Sequence, residues 1–441
     1  MRKERAVHPH PTPHFARDIA PLVLGKLNSS TPAGIILSGI VGSGKTTLIR
    51  DQVIPHLSED YAVFQFTGDD LHFRSKVQAD TKYIYEAVTS KTTRRAFVFV
   101  DEVQKCDEVF DAIKFAFDHL NMSFVVSGSN PEYLNTTAKK RLQRRAEFLV
   151  LTPFSLPEIL THDAGIDPNA QLLFSNFVAS GDFPNLSKID LTLTRKIETI
   201  IKRYLRIGGF PLSWKSETEA QSLIEIQKVV ERGFEPLLRE SEDVSDMIRI
   251  ELAQRHSQEF SLKSVFAKTG MRSRDQVNAV ITQLQNHGYL LRKKPVFIHE
   301  EKRSYLCIYS YCDPGIVSYV SGDLEIKDNS GYRIEGLVHS RLVSILGRIP
   351  LKSELGYYKA HTIDVNEKVK FQAGEIDFVL RIGKRILPIE VKTTANRANI
   401  KAGTLLDFMK KYRISTGVIL YGGVPFYDKG TQILYWPFWL I

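Results

Sequence analysis

At 441 residues and a formal net charge of +9, the chain is too long for a single core and reads as two to four domains. Its 43% hydrophobic and 25% charged residues exclude a disordered chain, and no run approaches the roughly 20 apolar residues of a membrane helix. Cys106, Cys307 and Cys312 have neither disulfide-framework nor zinc spacing, and the start MRKERAVHPHPTPHF lacks the apolar core of a secretory signal. A soluble protein of the reducing cytoplasm, with no membrane partner, is therefore expected.

The charge is unevenly placed. From Gly331 onward 17 Lys and Arg face 9 Asp and Glu, so nearly all of the positive excess lies in the last quarter. That suits a phosphate-rich partner such as DNA, and equally a solvated basic surface.

Residues 1 to 150 alternate short β-rich runs (GIILSG, YAVFQF, RAFVFVDE, MSFVVSGS) with helical stretches, the rhythm of an α/β parallel sheet. Gly39-Ile-Val-Gly42-Ser43-Gly44-Lys45-Thr46 matches the phosphate-loop pattern, between an apolar run and a helix. Its glycines would let backbone N–H groups close around a β-phosphate at a helix N-terminus, with Thr47 continuing that turn. Lys45 would reach the β- and γ-phosphates of ATP, and the Thr46 hydroxyl would bind Mg²⁺. Phe97–Val100 reads as a central strand ending in Asp101 and Glu102. Asp101 would hold the metal's water shell and Glu102 would polarise the attacking water. Ser127, Ser129 and Gln104 are candidate γ-phosphate sensors, or simply caps of backbone groups.

Asp101-Glu-Val-Gln104, Val126-Ser-Gly-Ser129, the basic Arg141–Arg145 segment, Leu151-Thr-Pro-Phe-Ser-Leu-Pro-Glu158 and Ile207-Gly-Gly-Phe-Pro211 follow in that order. This series resembles the AAA-type ATPases of bacteria and archaea that carry a C-terminal restriction-endonuclease-like domain. The resemblance implies a sheet of the additional-strand group, a helical lid, then a winged helix. It also implies a trans-acting arginine, best matched by Arg145, and hence a homo-oligomer. The usual Gly-Arg pair is Arg144-Arg145 here, which leaves the role of Arg144 open.

Residues 151 to 255 turn helical, in amphipathic runs such as TLTRKIETIIKRYLRIG. Ser261–Lys268, a turn at Thr269-Gly270 and Ser273–His287 read as helix-turn-helix, with Ser273 or Asp275 as cap. Leu290–Pro295 and Ser304–Tyr311 would form the wing, and Arg272, Arg274, Lys293 and Lys294 its basic edge. Such a unit grips DNA or packs against protein with about equal frequency.

Glu375-Ile-Asp377 through Glu390-Val-Lys392 reads as a hairpin about Gly383-Lys384, with Gly suited to the first position of a type II′ turn. Counting outward from Ile382 and Arg385 sets Asp377 opposite Glu390 and Glu375 opposite Lys392, all on one face. Ile376, Phe378, Leu380, Leu387, Ile389 and Val391 would form the core face. Opposed carboxylates destabilise a strand pair unless a cation lies between them, so Mg²⁺ or Mn²⁺ is implied. The pattern is similar to the active-site motif of restriction-endonuclease-like nucleases. That similarity makes Asp377 and Glu390 metal ligands, Lys392 the residue that orients water, and Glu335 an upstream acid. A salt-bridged surface hairpin and a nuclease fold that no longer cuts stay open beside it. Ile433–Ile441 reads as a buried closing strand.

The expected division is residues 1–150, a P-loop ATPase core; 151–255, a helical lid; 256–325, a winged helix; and 326–441, a restriction-endonuclease-like domain. The function read from it is an ATP-binding and ATP-hydrolysing protein whose nucleotide state controls a metal-dependent, nuclease-like domain acting on DNA. The alternative is an ATP-dependent protein-interaction switch with a silent nuclease fold. A helicase is disfavoured, because no further helicase motif series is present.

Overall fold

The computed structural model describes residues 15–186, 192–234, 242–262, 265–266, 273–296, 306–325, 330–363 and 369–441. Among these, five parallel strands form the first sheet: β1 (Gly34–Ser38), β2 (Ala62–Thr67), β3 (Ala96–Asp101), β4 (Met122–Gly128) and β5 (Ala146–Val150). Their order is β2-β3-β4-β1-β5, so β4 lies between the phosphate-loop strand β1 and the acid-bearing strand β3. β1, β3 and β4 are buried at every position, whereas the edge strand β2 is only partly covered. Unbroken Ile, Val and Phe runs follow from that burial, since a strand covered on both faces has no wet side. Ile36, Val98, Val100 and Val126 face the helices Leu71–Ala79, Tyr83–Thr89 and Glu108–His119. Ile35, Leu37, Phe97, Phe99 and Val125 face Ala20–Leu27 and the turns after the phosphate loop.

The next segment is helical. Leu156–Ala164 opens on a capping box between Ser155 and Glu158. Arg195–Ile207 buries Ile197, Ile200, Ile201, Tyr204 and Leu205, the one-sided spacing of an amphipathic helix. Arg274–Asn286 starts at Ser273, whose hydroxyl accepts from the Gln276 amide, which settles the choice of cap. Lys263, Ser264 and the stretch from Ala267 to Arg272, which carry most of the expected first helix and its turn, lie outside the described residues, as do Ser304 and Tyr305 of the wing.

The second sheet contains, among the described residues, β6 (Glu259–Phe260), β7 (Leu290–Pro295), β8 (Cys307–Tyr311), β9 (Ser353–Ile363), β10 (Val369–Ile382), β11 (Arg385–Val391), β12 (Gly417–Tyr421), β13 (Phe426–Asp428) and β14 (Ile433–Pro437). Their order is β13-β14-β12-β11-β10-β9-β7-β8-β6. β7 pairs with β8 and also, through Lys294–Gly356 and Pro295–Tyr357, with β9. One sheet therefore runs across the boundary expected near residue 325.

The β10–β11 hairpin has the expected register, Ile382 opposite Arg385, and Gly383 takes φ +58°. One expectation needs correction. Against β9, β10 slips by one residue between Ile376 and Val379. This irregularity turns Ile376 away from Phe378 and Leu380, and it packs with Val379 on Leu405, Phe408 and Met409. Both faces of the hairpin are thus buried, one by the Gly403–Tyr412 helix and one by the main core.

β14, the last strand in chain order, is buried as expected and is held between β12 and the short edge strand β13. Trp436 and Trp439 are wholly buried, and the Trp436 ring lies 5.8 Å from Phe174 of the Pro168–Ser180 helix. The same core reaches from Phe15 and Ile40, beside the phosphate loop, to Ile441. Packing on this scale binds the central helices and the second sheet together through apolar area removed from water.

Candidate functional site

The phosphate loop leaves β1 and enters the Lys45–Thr47 turn with Gly42 at φ +78° and Gly44 at φ +91°, conformations in which a side chain is strained. The Lys45 Nζ donates to the carbonyls of Gly39 (2.8 Å) and Ile40 (3.1 Å). Burial brings this ammonium down to about 8, while Glu102 and Asp101 act to hold it up. The Thr46 hydroxyl donates to Asp101 Oδ2 at 2.5 Å, and the Ser127 hydroxyl donates to Asp101 Oδ1. A threonine hydroxyl and a carboxylate are hard oxygen donors, the set Mg²⁺ prefers, so these residues fit that ion.

Glu102 stands just past the end of β3 with φ +51°, a left-handed conformation that costs a non-glycine residue on the order of 1–2 kcal/mol. Its Oε2 accepts from the Gln104 amide and from the Ser129 hydroxyl at 3.3 Å. The residues singled out as phosphate sensors are thus tied to the two acids: Ser127 to Asp101, Ser129 and Gln104 to Glu102. Gly42, Gly44, Lys45, Thr46, Thr47, Glu102 and Ser129 line a cleft of about 450 Å³, together with Phe15, Arg17, Phe154, Pro211, Leu212 and Lys215. Ser43 is buried beneath the loop and Gly39 packs against the Leu151 carbonyl.

Arg145 does not reach this cleft. Its guanidinium forks onto Asp118 at 2.7 and 2.8 Å, whereas Arg144 beside it is exposed.

Sequence reasoning missed Arg17. Only 4% exposed, it donates to the Ser43 carbonyl of the phosphate loop (3.0 Å), to Glu158 (3.0 Å) and to the Thr152 carbonyl (2.5 Å). The next residue, Asp18, is clamped by Arg341 (2.7 Å) and Arg348 (2.8 Å) from the C-terminal region. Burial opposes its charge, yet the two guanidinium groups hold the carboxyl well below the usual range. No local signal marks such a pair, because its partners lie far away in sequence.

The second site gathers around the β10–β11 hairpin. Asp377 Oδ2 accepts from the Val391 amide at 2.7 Å, and Lys392 pairs with Glu390 Oε2 at 3.0 Å instead of with Glu375. Glu375 lies opposite Lys359 of β9. Glu390 is 2% exposed; its Oε2 is held by the Lys392 ammonium and its Oε1 has no hydrogen-bond partner. Burial pushes Glu390 and Asp377 up. It also raises Glu335, in the Ser330–Leu346 helix, to about 8, with Asp377 and Glu375 adding to the shift.

The unexpected member is Lys293 of β7, read from sequence as surface. It is 2% exposed, donates to the Asp377 carbonyl at 2.8 Å and lies 4.1 Å over the Phe378 ring. Burial lowers its ammonium while Glu335, Asp377 and Glu375 oppose that shift. His339, one turn after Glu335, is held neutral by burial and by the charge of Lys293. Among the described residues no three His, Cys, Asp or Glu side chains group to hold one metal ion, so Glu335, Asp377 and Glu390 are not gathered as a three-ligand set. The buried, unpartnered Glu390 Oε1 is the feature here that suits a cation.

Comparison with known proteins bears on the two ends of the chain. Residues 32–160 match the AAA domain family. Residues 331–441 match a domain of unknown function, DUF4143. Comparison with curated proteins gives no match. Among solved structures the chain is similar to a Walker-type ATPase of Pyrococcus abyssi, at 15% identity and a TM-score of 0.43, covering 70% of this chain and 96% of that one. It is also similar to the Orc1 protein of Aeropyrum pernix in complex with DNA, at 13% and 0.27, covering 69% and 90%. A third is DnaA from Aquifex aeolicus bound to AMPPCP, at 14% and 0.24, covering 61% and 86%. Among the described residues no helix is long and apolar enough to cross a membrane. With the loop, acids and strand order above, the chain carries an AAA-type ATPase domain over residues 32–160, and nucleotide binding follows from it.

Proposed function

We propose that the protein binds and hydrolyses ATP, and that its nucleotide state governs the C-terminal acid site, which acts on DNA. The observation that carries this reading is the Arg17–Asp18 link. One side chain holds a phosphate-loop carbonyl and the next holds the helix that bears Glu335. A phosphate entering the loop must displace Lys45 from the Gly39 and Ile40 carbonyls, and a shift of Ser43 is transmitted through Arg17.

In this reading Lys45 neutralises the phosphates and Glu102 takes a proton from the attacking water, its carboxylate aimed by Gln104 and Ser129. Thr46 and Asp101 hold Mg²⁺, which supplies charge stabilisation to the phosphates. Arg145 serves in trans only after leaving Asp118. At the C-terminal site Asp377, Glu390 and Lys392 form the acting set beside Glu335, and the basic surface after Gly331 attracts the DNA backbone. The unpartnered Glu390 Oε1 supports a metal-dependent site there. The two lysines that already balance its charge support a second reading, a protein-interaction switch that does not cut.

Incubation of supercoiled, linear and branched DNA with Mn²⁺ or Mg²⁺, with and without ATP, separates them. Nicking that disappears in Asp377→Ala and changes in Glu102→Gln supports the first reading. An ATPase that is active yet cuts nothing under any of these conditions overturns it in favour of the switch.

A further inference from the structure

Between the Arg195–Ile207 and Pro211–Lys215 helices the chain turns through Gly208, Gly209 and Phe210. Gly208 takes φ +67°, and a Cβ there would overlap Asp313 Oδ1. The backbone therefore comes closer to Asp313 than a side chain at Gly208 would allow. Asp313 Oδ2 accepts from the Gly209 amide at 2.8 Å. Its Oδ1 accepts from the Gly315 amide at 2.8 Å and so caps the Pro314–Ser321 helix.

The other side of Gly209 is tied as well. Its carbonyl accepts from the Phe154 amide at 2.8 Å, and a Cβ on it would overlap the Phe154 carbonyl. Phe154, Pro211, Leu212 and Lys215 all line the nucleotide cleft, and Pro211 stands beside Gly44 of the phosphate loop. A carboxylate that does not line the cleft thus fixes the turn from which this wall is built.

Asp313 is only 1% exposed. Burial raises its carboxyl to about 7, while the amides of Gly209, Gly315 and Ile316 oppose the shift. Capping alone does not need so costly a group, since a serine hydroxyl caps a helix about as well. The second oxygen, the one on Gly209, is what a serine lacks.

We propose that Asp313 is a positioning residue of the nucleotide cleft, holding through Gly209 the wall of Phe154, Pro211, Leu212 and Lys215. The inference rests on that cleft being the nucleotide site, which Lys45→Ala tests by itself. Thr46, Asp101 and Glu102 belong to other segments, so losing the Gly209 link weakens binding without disturbing the groups placed at the phosphates.

The test compares full-length wild type, Asp313→Ser, Asp313→Asn and Lys45→Ala at about pH 8, where the Asp313 carboxyl is ionised. Calorimetric titration gives the dissociation constants of MgATP and MgADP, steady-state turnover gives KM and kcat, and urea unfolding shows that each variant is folded. The serine variant keeps the helix cap and loses the link. The asparagine variant keeps the volume but offers one carbonyl oxygen to two amides, so it stands in if the serine variant fails to fold.

The expected result is a rise of about tenfold in both dissociation constants and in KM, the size of one hydrogen bond to a charged group, with kcat within about twofold. Unchanged affinities in the folded variants, or a fall in kcat at constant KM, overturn the proposal. If Lys45→Ala binds nucleotide as tightly as wild type, the cleft assignment itself falls, whatever the Asp313 variants do.

Discussion

The nucleotide cleft and the C-terminal acid site each set a buried lysine among carboxylates, but they assemble that chemistry differently. In the cleft, Lys45 and Thr46 share one turn, and Asp101 and Glu102 follow one strand two places away in the same parallel sheet. Two short segments suffice, and each has its own local signature. In the acid site, Glu335, Asp377 and Glu390 come from a helix and two strands, and Lys293 joins them only because β7 adds to β9. A site built from contiguous segments can be read from spacing, whereas one built by sheet addition cannot.

The Arg17–Asp18 pair joins the two regions, so perturbing each in turn tests whether they are coupled. The most complete loss of function is expected in the cleft. Lys45→Ala should abolish nucleotide-dependent thermal stabilisation, which amounts to about 2.7 kcal/mol for a ligand at a hundred times its dissociation constant. Stabilisation that survives would remove the cleft as the nucleotide site. Glu102→Gln should keep ATP binding and lose about 10²–10⁴-fold in phosphate release, since only proton transfer is removed. An equal loss of binding would assign Glu102 to holding the nucleotide.

At the joint, Asp18→Asn leaves Arg341 and Arg348 buried without their counter-charge. A loss of about 3–5 kcal/mol in urea unfolding is expected, with any response of one site to the other's ligand weakened. A stable variant whose two sites still respond to each other would break the comparison at its joint.

The smallest effect lies behind the acid site. His256 accepts the Tyr311 amide at 3.2 Å, and burial lowers its pKa from 6.5 to about 3. Below 6.5 the unfolded chain takes up a proton that the folded chain refuses, so this contribution to stability falls as pH drops from 6.5 toward 3. His256→Asn keeps an acceptor without the titration. It should lose about 2 kcal/mol less than wild type between about pH 7 and about pH 5. An equal loss of unfolding free energy between the two pH values in wild type and His256→Asn, read from urea titrations, would show that His256 is not the group responsible.

Much of the architecture was legible in pattern. The apolar runs of β1, β3 and β4, the helical spacing of Arg195–Ile207 and the Gly383 turn all became the elements they suggested. The misreadings came where one segment's neighbour mattered. Ile376 changed faces because β10 slips against β9, a strand that lies before it in sequence. Lys392 chose Glu390, two residues away on its own strand end, over the Glu375 expected across the hairpin. Lys293 looked like one basic residue among several, and its burial depends on a partner strand more than 50 residues later.

What the sequence by itself determined is the local chemistry. A phosphate loop needs glycines at positive φ before a lysine, and a metal strand needs acids after an apolar run. Both requirements are met within a few residues, where backbone stereochemistry acts. Only the tertiary structure decided which charges neutralise which. Arg17 to Glu158, Asp18 to Arg341 and Arg348, and the Lys293 ammonium to the Asp377 carbonyl are contacts between distant segments. Burial makes each of them obligatory, because a charge removed from water must find its partner wherever the packed core leaves one within reach.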